Sequence, residues 1–132
     1  MKYVPLLGRL LFSTIFLDSG FKHFASGTIN YGASAGVPMA SFSVPLAGII
    51  AIVGALSIIL GYKAKWGGWL IVLLLVPVTF MMHAYWNVQD PMQHQIQMAM
   101  FMKNMSMLGG ALMIAYFGSG PVSLDESIKL KK

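Results

Sequence analysis

An aspartate, a histidine and a lysine each interrupt a long apolar stretch of this chain: Asp18, His83 and Lys103. An ionisable side chain is expensive in hydrocarbon, so it is a functional candidate by default. Thr14, Asp18 and Lys22 fall at i, i+4 and i+8, one stripe of a helix. Thr79, His83, Trp86 and Asn87 make a second stripe on the same rule. Ala99, Lys103, Ser106 and Gly110 make a third. Its small residues suit close helix approach, which would point Lys103 into a bundle. An ion pair between Asp18 and Lys103 is then expected, because a buried lysine needs an anion. Such a group could hold a small aromatic with polar carbonyl oxygens. His83 and Lys103 would donate, Asp18 would orient them, and Trp86 would stack. Lys22 and Asn104 would complete the binding wall. The structural alternative uses the same residues. Lys103 snorkels to an interface, His83 is satisfied by Asp18 or a backbone carbonyl, and the charges lock helix register.

The elements that must position these groups are membrane helices. Apolar residues make up 57% of the 132 and charged residues 10%, with mean hydropathy +0.71. A soluble domain carries about 25% charged residues. Four apolar segments are expected at about 4–24, 44–62, 66–88 and 95–117, each near the ~20 residues that cross a bilayer. A short tail, 118–132, follows. The fold class is all-α, an integral membrane four-helix bundle in one domain. A signal peptide is the competing reading of the N-terminus. Arg9 and Asp18 interrupt its apolar run, and no small-residue cleavage site closes it.

Lysine and arginine set the orientation. Lys2 and Arg9, the Lys63 and Lys65 turn, and Lys129, Lys131 and Lys132 fall on one side of four spans. The positive-inside rule puts that side, and both termini, in the cytoplasm of a bacterial inner membrane. Trp66 and Trp69 on one side, Tyr85 and Trp86 on the other, suit interfacial aromatic belts. The net charge of +5 lies in short runs beside apolar segments, not in a patch with interleaved aromatics, so no nucleic-acid partner is expected. The chain has no cysteine, which excludes thiolate nucleophiles, disulfide exchange, iron–sulfur clusters and thiolate zinc sites.

Other features carry weaker expectations. Arg9 lies near the inner face and is read as snorkelling to headgroups. Pro77 removes a hydrogen bond and could open the wall beside Thr79 and His83. The 25–43 connection is read as an interfacial cover over the outer mouth, with a helical turn or two over 29–35 stopped at Gly36. A substrate lid is the alternative there. Ala47, Ala51 and Ala55 form a packing face on the second span. Met98, Met102 and Met105 share a face, and thioethers can bind Cu(I), but gap-filling is the commoner use. No metal is expected. His23, His83 and His94 all lie toward the outer side, so axial ligation of a haem stays open.

Several local motifs together resemble the DoxX family of small bacterial membrane proteins. They are Gly8-Arg9, Gly20 with Lys22, the Tyr31 to Pro38 stretch, and Gly54 with Gly61 and its basic turn. His83, Lys103-Asn104 before Gly109-Gly110, and the run from Gly118 to Asp125 complete the set. One departure is that Ala51 stands about where many DoxX proteins carry a glutamate. The resemblance implies a four-helix membrane fold and a quinone-linked redox or oxidative-stress system. Its implied cofactor is a quinone, with electrons coming from a redox partner protein. Two other functions remain beside it. One is a non-catalytic membrane anchor or assembly subunit, alone or as a homo-oligomer. The other is a small proton-coupled transporter, against which the lack of an internal inverted repeat counts.

Overall fold

A computed structural model describes residues 1–132. Six helices are present: α1 (Val4–Lys22), α2 (Ser26–Ser34), α3 (Ala40–Leu60), α4 (Ala64–Met82), α5 (Pro91–Phe117) and α6 (Leu124–Leu130). Four segments are long and apolar enough to span a membrane: α1, α3, α5, and α4 with the short 3-10 turn Tyr85–Asn87 that follows it. The expected all-α bundle is therefore present.

Element ends differ from the sequence reading for local reasons. The third span breaks at His83, which closes α4 with φ −125, so Trp86 and Asn87 lie off the helix that holds Thr79. The fourth span begins at Pro91, four residues early. Asp90 caps it by accepting from the Gln93 amide at 2.9 Å, and a proline in the first turn loses no helical bond. In the 25–43 connection the helix starts at Ser26, earlier than expected, and the chain turns out of it at Gly36, where φ is +85.

The spanning helices pack in a row, α1 against α3, α3 against α4, and α4 against α5, while α1 and α5 hardly touch. Lipid gives helices no hydrophobic drive to associate, so close van der Waals packing must hold them, and small residues permit it. Glycines stand at each crossing. A Cβ at Gly48 would come within 2.7 Å of the Gly20 carbonyl, and one at Gly67 within 2.9 Å of the Gly54 carbonyl. One at Gly68 would come within 2.7 Å of the Ala115 amide nitrogen. Phe16, Ala51, Ala55, Ile58, Ile71, Leu74, Leu75 and Ala111 form the core between these contacts. Ala51 and Ala55 are fully buried, as their packing-face reading requires.

One end of the bundle carries Lys63, Lys65 and the lysine tail; it is called the basic end here. There the chain after α5 folds back under the helices. Arg9 is 3% exposed and donates from Nη2 to the Val122 carbonyl. It does not snorkel. The segment from Gly118 to Asp125 roofs it over, and the close packing of Gly61, Ser119 and Ser123 leaves it no route to water. Asp125 reaches across to the start of α4, accepting from the Lys63 amide at 2.9 Å and the Ala64 amide at 3.3 Å. Its own amide donates to the Gly61 carbonyl at 2.8 Å. The open amides of a helix start are thus satisfied by a carboxylate, the charge sign its dipole favours. Ser123 caps α6, its Oγ accepting from the Glu126 amide, and Glu126 accepts from the amide of Val122, one residue before the cap, at 2.7 Å.

Two stability outcomes follow, both measured as thermal unfolding in detergent. Gly68→Ala should lower the midpoint clearly, because its Cβ meets backbone, whereas Gly109→Ala, with open space around it, should not. Asp125→Ala should cost roughly 1–3 kcal/mol, since it strips a charged acceptor from the α4 amides. An unchanged midpoint for Asp125→Ala would mean that the C-terminal segment does not hold the helices.

Candidate functional site

The six residues expected to build the site do not converge. Asp18 pairs with Lys22 on its own helix, Nζ to Oδ2 2.7 Å, with the side chains 61% and 68% exposed. Lys103 is exposed and its Nζ lies 3.2 Å from Met100 Sδ. No ion pair joins Asp18 to Lys103. The stripe of Ala99, Lys103 and Ser106 is exposed, and the inward face of α5 is instead Asn104, Ala111 and Ala115. The physical reason is the α4 crossing: α5 seats Ala111 and Ala115 on Gly68. Lys103 is eight residues before Ala111, about 80° round the helix, while Asn104 is about 20° round.

His83 is half-buried and bonds through Nδ1 to Gln97 Oε1 of α5 at 2.8 Å. Its partner is neither Asp18 nor a backbone carbonyl. Trp86 stands half-exposed in an aromatic group with Phe80, Tyr85 and Phe101, ring centroids 5.2–6.5 Å apart. His94 joins that group edge-on to Tyr85 at 5.4 Å. These contacts fasten the end of α4 to α5. Gln97 gave no sequence signal beyond its polarity, because its pairing depends on how α5 is rotated.

A hollow of about 560 Å³ does open near His83. Pro77, Leu74, Val78 and Met82 of α4 face Val44 and Ala47 of α3 across it, while Tyr31 and Gly32 of α2 close one end. His23 and His83 bring imidazole rings to its lining. The hollow lies beside Pro77 and His83 but not beside Thr79, which is buried in the bundle. Apart from the histidines, Thr28, Tyr31 and Ser43 the lining is largely apolar, and neither Asp18, Lys103 nor Trp86 reaches it.

The densest polar group sits at the opposite end, around Arg9, Ser119, Ser123 and Asp125. Arg9 Nε and Nη1 are buried without a partner, as are Ser13 Oγ and Thr79 Oγ1 in the bundle. Only the Gly8-Arg9 and Gly118 to Asp125 motifs hinted at this group. Spacing alone could not join two segments more than a hundred residues apart.

Comparison with known proteins gives the chain its place. The model of the SURF4 family matches residues 36–131. The inner membrane protein YphA of Escherichia coli is 30% identical over 122 residues, 91% of this chain and 86% of that protein. The inner membrane protein YqjF of the same organism is 27% identical over 128 residues, 96% and 92%. The Surfeit locus protein 4 homolog of Schizosaccharomyces pombe is 26% identical over 129 residues, 97% of this chain but 38% of that longer protein. The ER-derived vesicles protein ERV29 of Saccharomyces cerevisiae is 27% identical over 82 residues, 62% and 26%. No solved structure matches. These matches replace the DoxX resemblance, whose motifs are short glycine and basic signals that four-span chains can share. The quinone-linked redox function was drawn from that resemblance and falls with it. None of these four relatives is named for a redox reaction. With four apolar spans and relatives of the bacterial inner membrane, the chain is a multi-pass inner-membrane protein. It belongs to the SURF4 family.

Proposed function

We propose that this protein is a non-catalytic membrane anchor or assembly subunit that docks on another membrane protein through the outward faces of α1 and α5. The carrying observation is that Lys103 faces out of the bundle from within a spanning helix. Ionisable groups in such helices almost always face protein or water. Here the protein they would face is a partner. A catalytic site would gather these groups inward around a cavity, and the hollow beside Pro77 receives none of Asp18, Lys22 or Lys103.

A second copy of the chain would meet the need. Asp18 and Lys103 each stand about 21 Å along their helices from the basic end, measured from Val4 and Phe117. A copy laid alongside brings its carboxylate to the level of the lysine. The open side between α1 and α5, bridged by Phe12 against Gly110, offers the place for it. Membership of a family whose relatives are membrane and vesicle proteins agrees with such a role. The basic end is cytoplasmic on this reading, because its lysines follow the positive-inside distribution.

Extraction into native-lipid particles should give a complex heavier than one chain, and Lys103→Met should release the monomer. The absence of cysteine makes a second test clean. Copies carrying Asp18→Cys and Lys103→Cys, co-expressed with different tags, should join by a disulfide on oxidation. A chain that is monomeric throughout, and indifferent to Lys103→Met, would sink the reading. A periplasm-active reporter fused to the C-terminus should stay silent, and strong activity would reverse the orientation.

A further inference from the structure

At the basic end, the α3–α4 turn and the C-terminal segment enclose a hollow of about 580 Å³. Lys63, Lys65 and Lys129 line it, with Trp66, Phe117 and Ile128 as its apolar sides. Asp125 and Glu126 also line it, with both oxygens of Asp125 and Oε2 of Glu126 held by hydrogen bonds. Asp125 accepts from the Lys63 and Ala64 amides and the Ser119 hydroxyl, and Glu126 accepts from the Val122 amide. The ammonium groups of these lysines make no ion pair or side-chain hydrogen bond. The chain's single ion pair is Asp18 with Lys22, at the far end. Lys63 Nζ has the Tyr62 ring at 5.7 Å, and the stem of Lys65 lies across Gly118, its Cε 3.4 Å from where a Cβ would stand. Three ammonium groups without an ion pair therefore border one cavity, and its two carboxylates, turned to backbone amides, leave the lining with a net positive charge.

The apolar sides identify what kind of anion fits. Trp66 is 71% and Phe117 68% exposed, at helix ends where the bilayer interface lies. Beside them α6 exposes Leu124, Ile128 and Leu130 along with Lys129. A short helix with apolar and basic residues both turned outward suits the plane of the interface. Basic hollows between membrane helices, and lysine runs next to them, attract anionic headgroups. We propose that this hollow binds the phosphate headgroup of an anionic phospholipid. Lys63, Lys65 and Lys129 are its cations, and Trp66, Phe117 and Ile128 rest against the start of its acyl chains. A free phosphate would meet the lysines but leave the apolar sides uncovered. The inference is independent of the docking of α1 and α5, which are exposed at the other end.

The test is native mass spectrometry of the full chain in detergent, with phosphatidylglycerol or phosphatidylcholine added. The wild type should retain phosphatidylglycerol at least about tenfold better, given the contribution of each lysine near a headgroup. Replacing Lys63, Lys65 and Lys129 with glutamine should abolish the preference. Replacing Lys131 and Lys132 with glutamine, which removes the same kind of charge outside the hollow, should leave most of it. Lys65→Gln alone, at an exposed position, should give a partial loss and guards against misfolding of the triple variant. Inorganic phosphate at millimolar concentration should not compete. Equal retention of the two lipids, equal loss in the tail variant, or displacement by inorganic phosphate would each overturn the proposal.

Discussion

The backbone-close crossings of the helices are the constraint on which this structure depends. In lipid, an apolar side chain gains little by leaving hydrocarbon for protein, so helices are held by fit. Fit here means glycine: Gly20 on Gly48, Gly54 on Gly67, and Gly68 on Ala111 and Ala115. Each contact fixes a rotation as well as a distance. Once Ala111 and Ala115 are seated on Gly68, Asn104 must turn inward and Lys103 outward. Once Gly20 meets Gly48, the Asp18 stripe is turned away from the core. Placement of the charges follows from the packing; the charges do not determine it.

The basic end follows a different rule. Arg9 is the one charged side chain that the fold buries, and a buried charge is costly unless it is hydrogen-bonded. Its hydrogen-bond partner is a backbone carbonyl from the opposite end of the sequence, so the chain after α5 has to fold back to supply it. That return also delivers Asp125 to the open amides of α4 and lets its amide reach the Gly61 carbonyl. Gly61, with φ +64, is needed twice in one place. It ends α3 in the left-handed region, and its missing side chain leaves room for the Arg9 guanidinium.

Much of the fold was legible in the sequence, and the site was not, for one reason. Span number and approximate place depend on local hydropathy, which Val44 to Tyr62 or Trp66 to Met82 display without reference to any neighbour. The Ala51 and Ala55 face and the helical turns before Gly36 are local in the same sense. Which face of a helix turns inward is not local when small residues run along two faces. On α5, Ala99, Ser106 and Gly110 make one small-residue face, and Asn104, Ala111 and Ala115 lie on another. The sequence favours the first because it holds Lys103, whose burial a functional site would need. The Gly68 contact selects the second. Arg9 failed for the complementary reason. Nearness to an interface suggests snorkelling, but only the folded C-terminal segment reveals that its way out is closed.

The energetics of Lys103 bear on what kind of protein this is. A lysine at the lipid face costs on the order of 2.5–3.5 kcal/mol at mid-membrane, less toward an interface. Met100 Sδ, a weak acceptor, offsets little of that. In an isolated chain an apolar side chain would serve α5 at least as well. A charge in that position contributes only when an anion arrives from outside, and then more than it would in water, because little solvent competes. The same reasoning applies to the Asp18–Lys22 pair, which is neutral as a unit but presents a dipole at an exposed face. Inward burial would have made these groups a private lock or a reaction centre. Outward placement fits the recognition surface proposed above, whose affinity would depend on the depth and sign of what it meets.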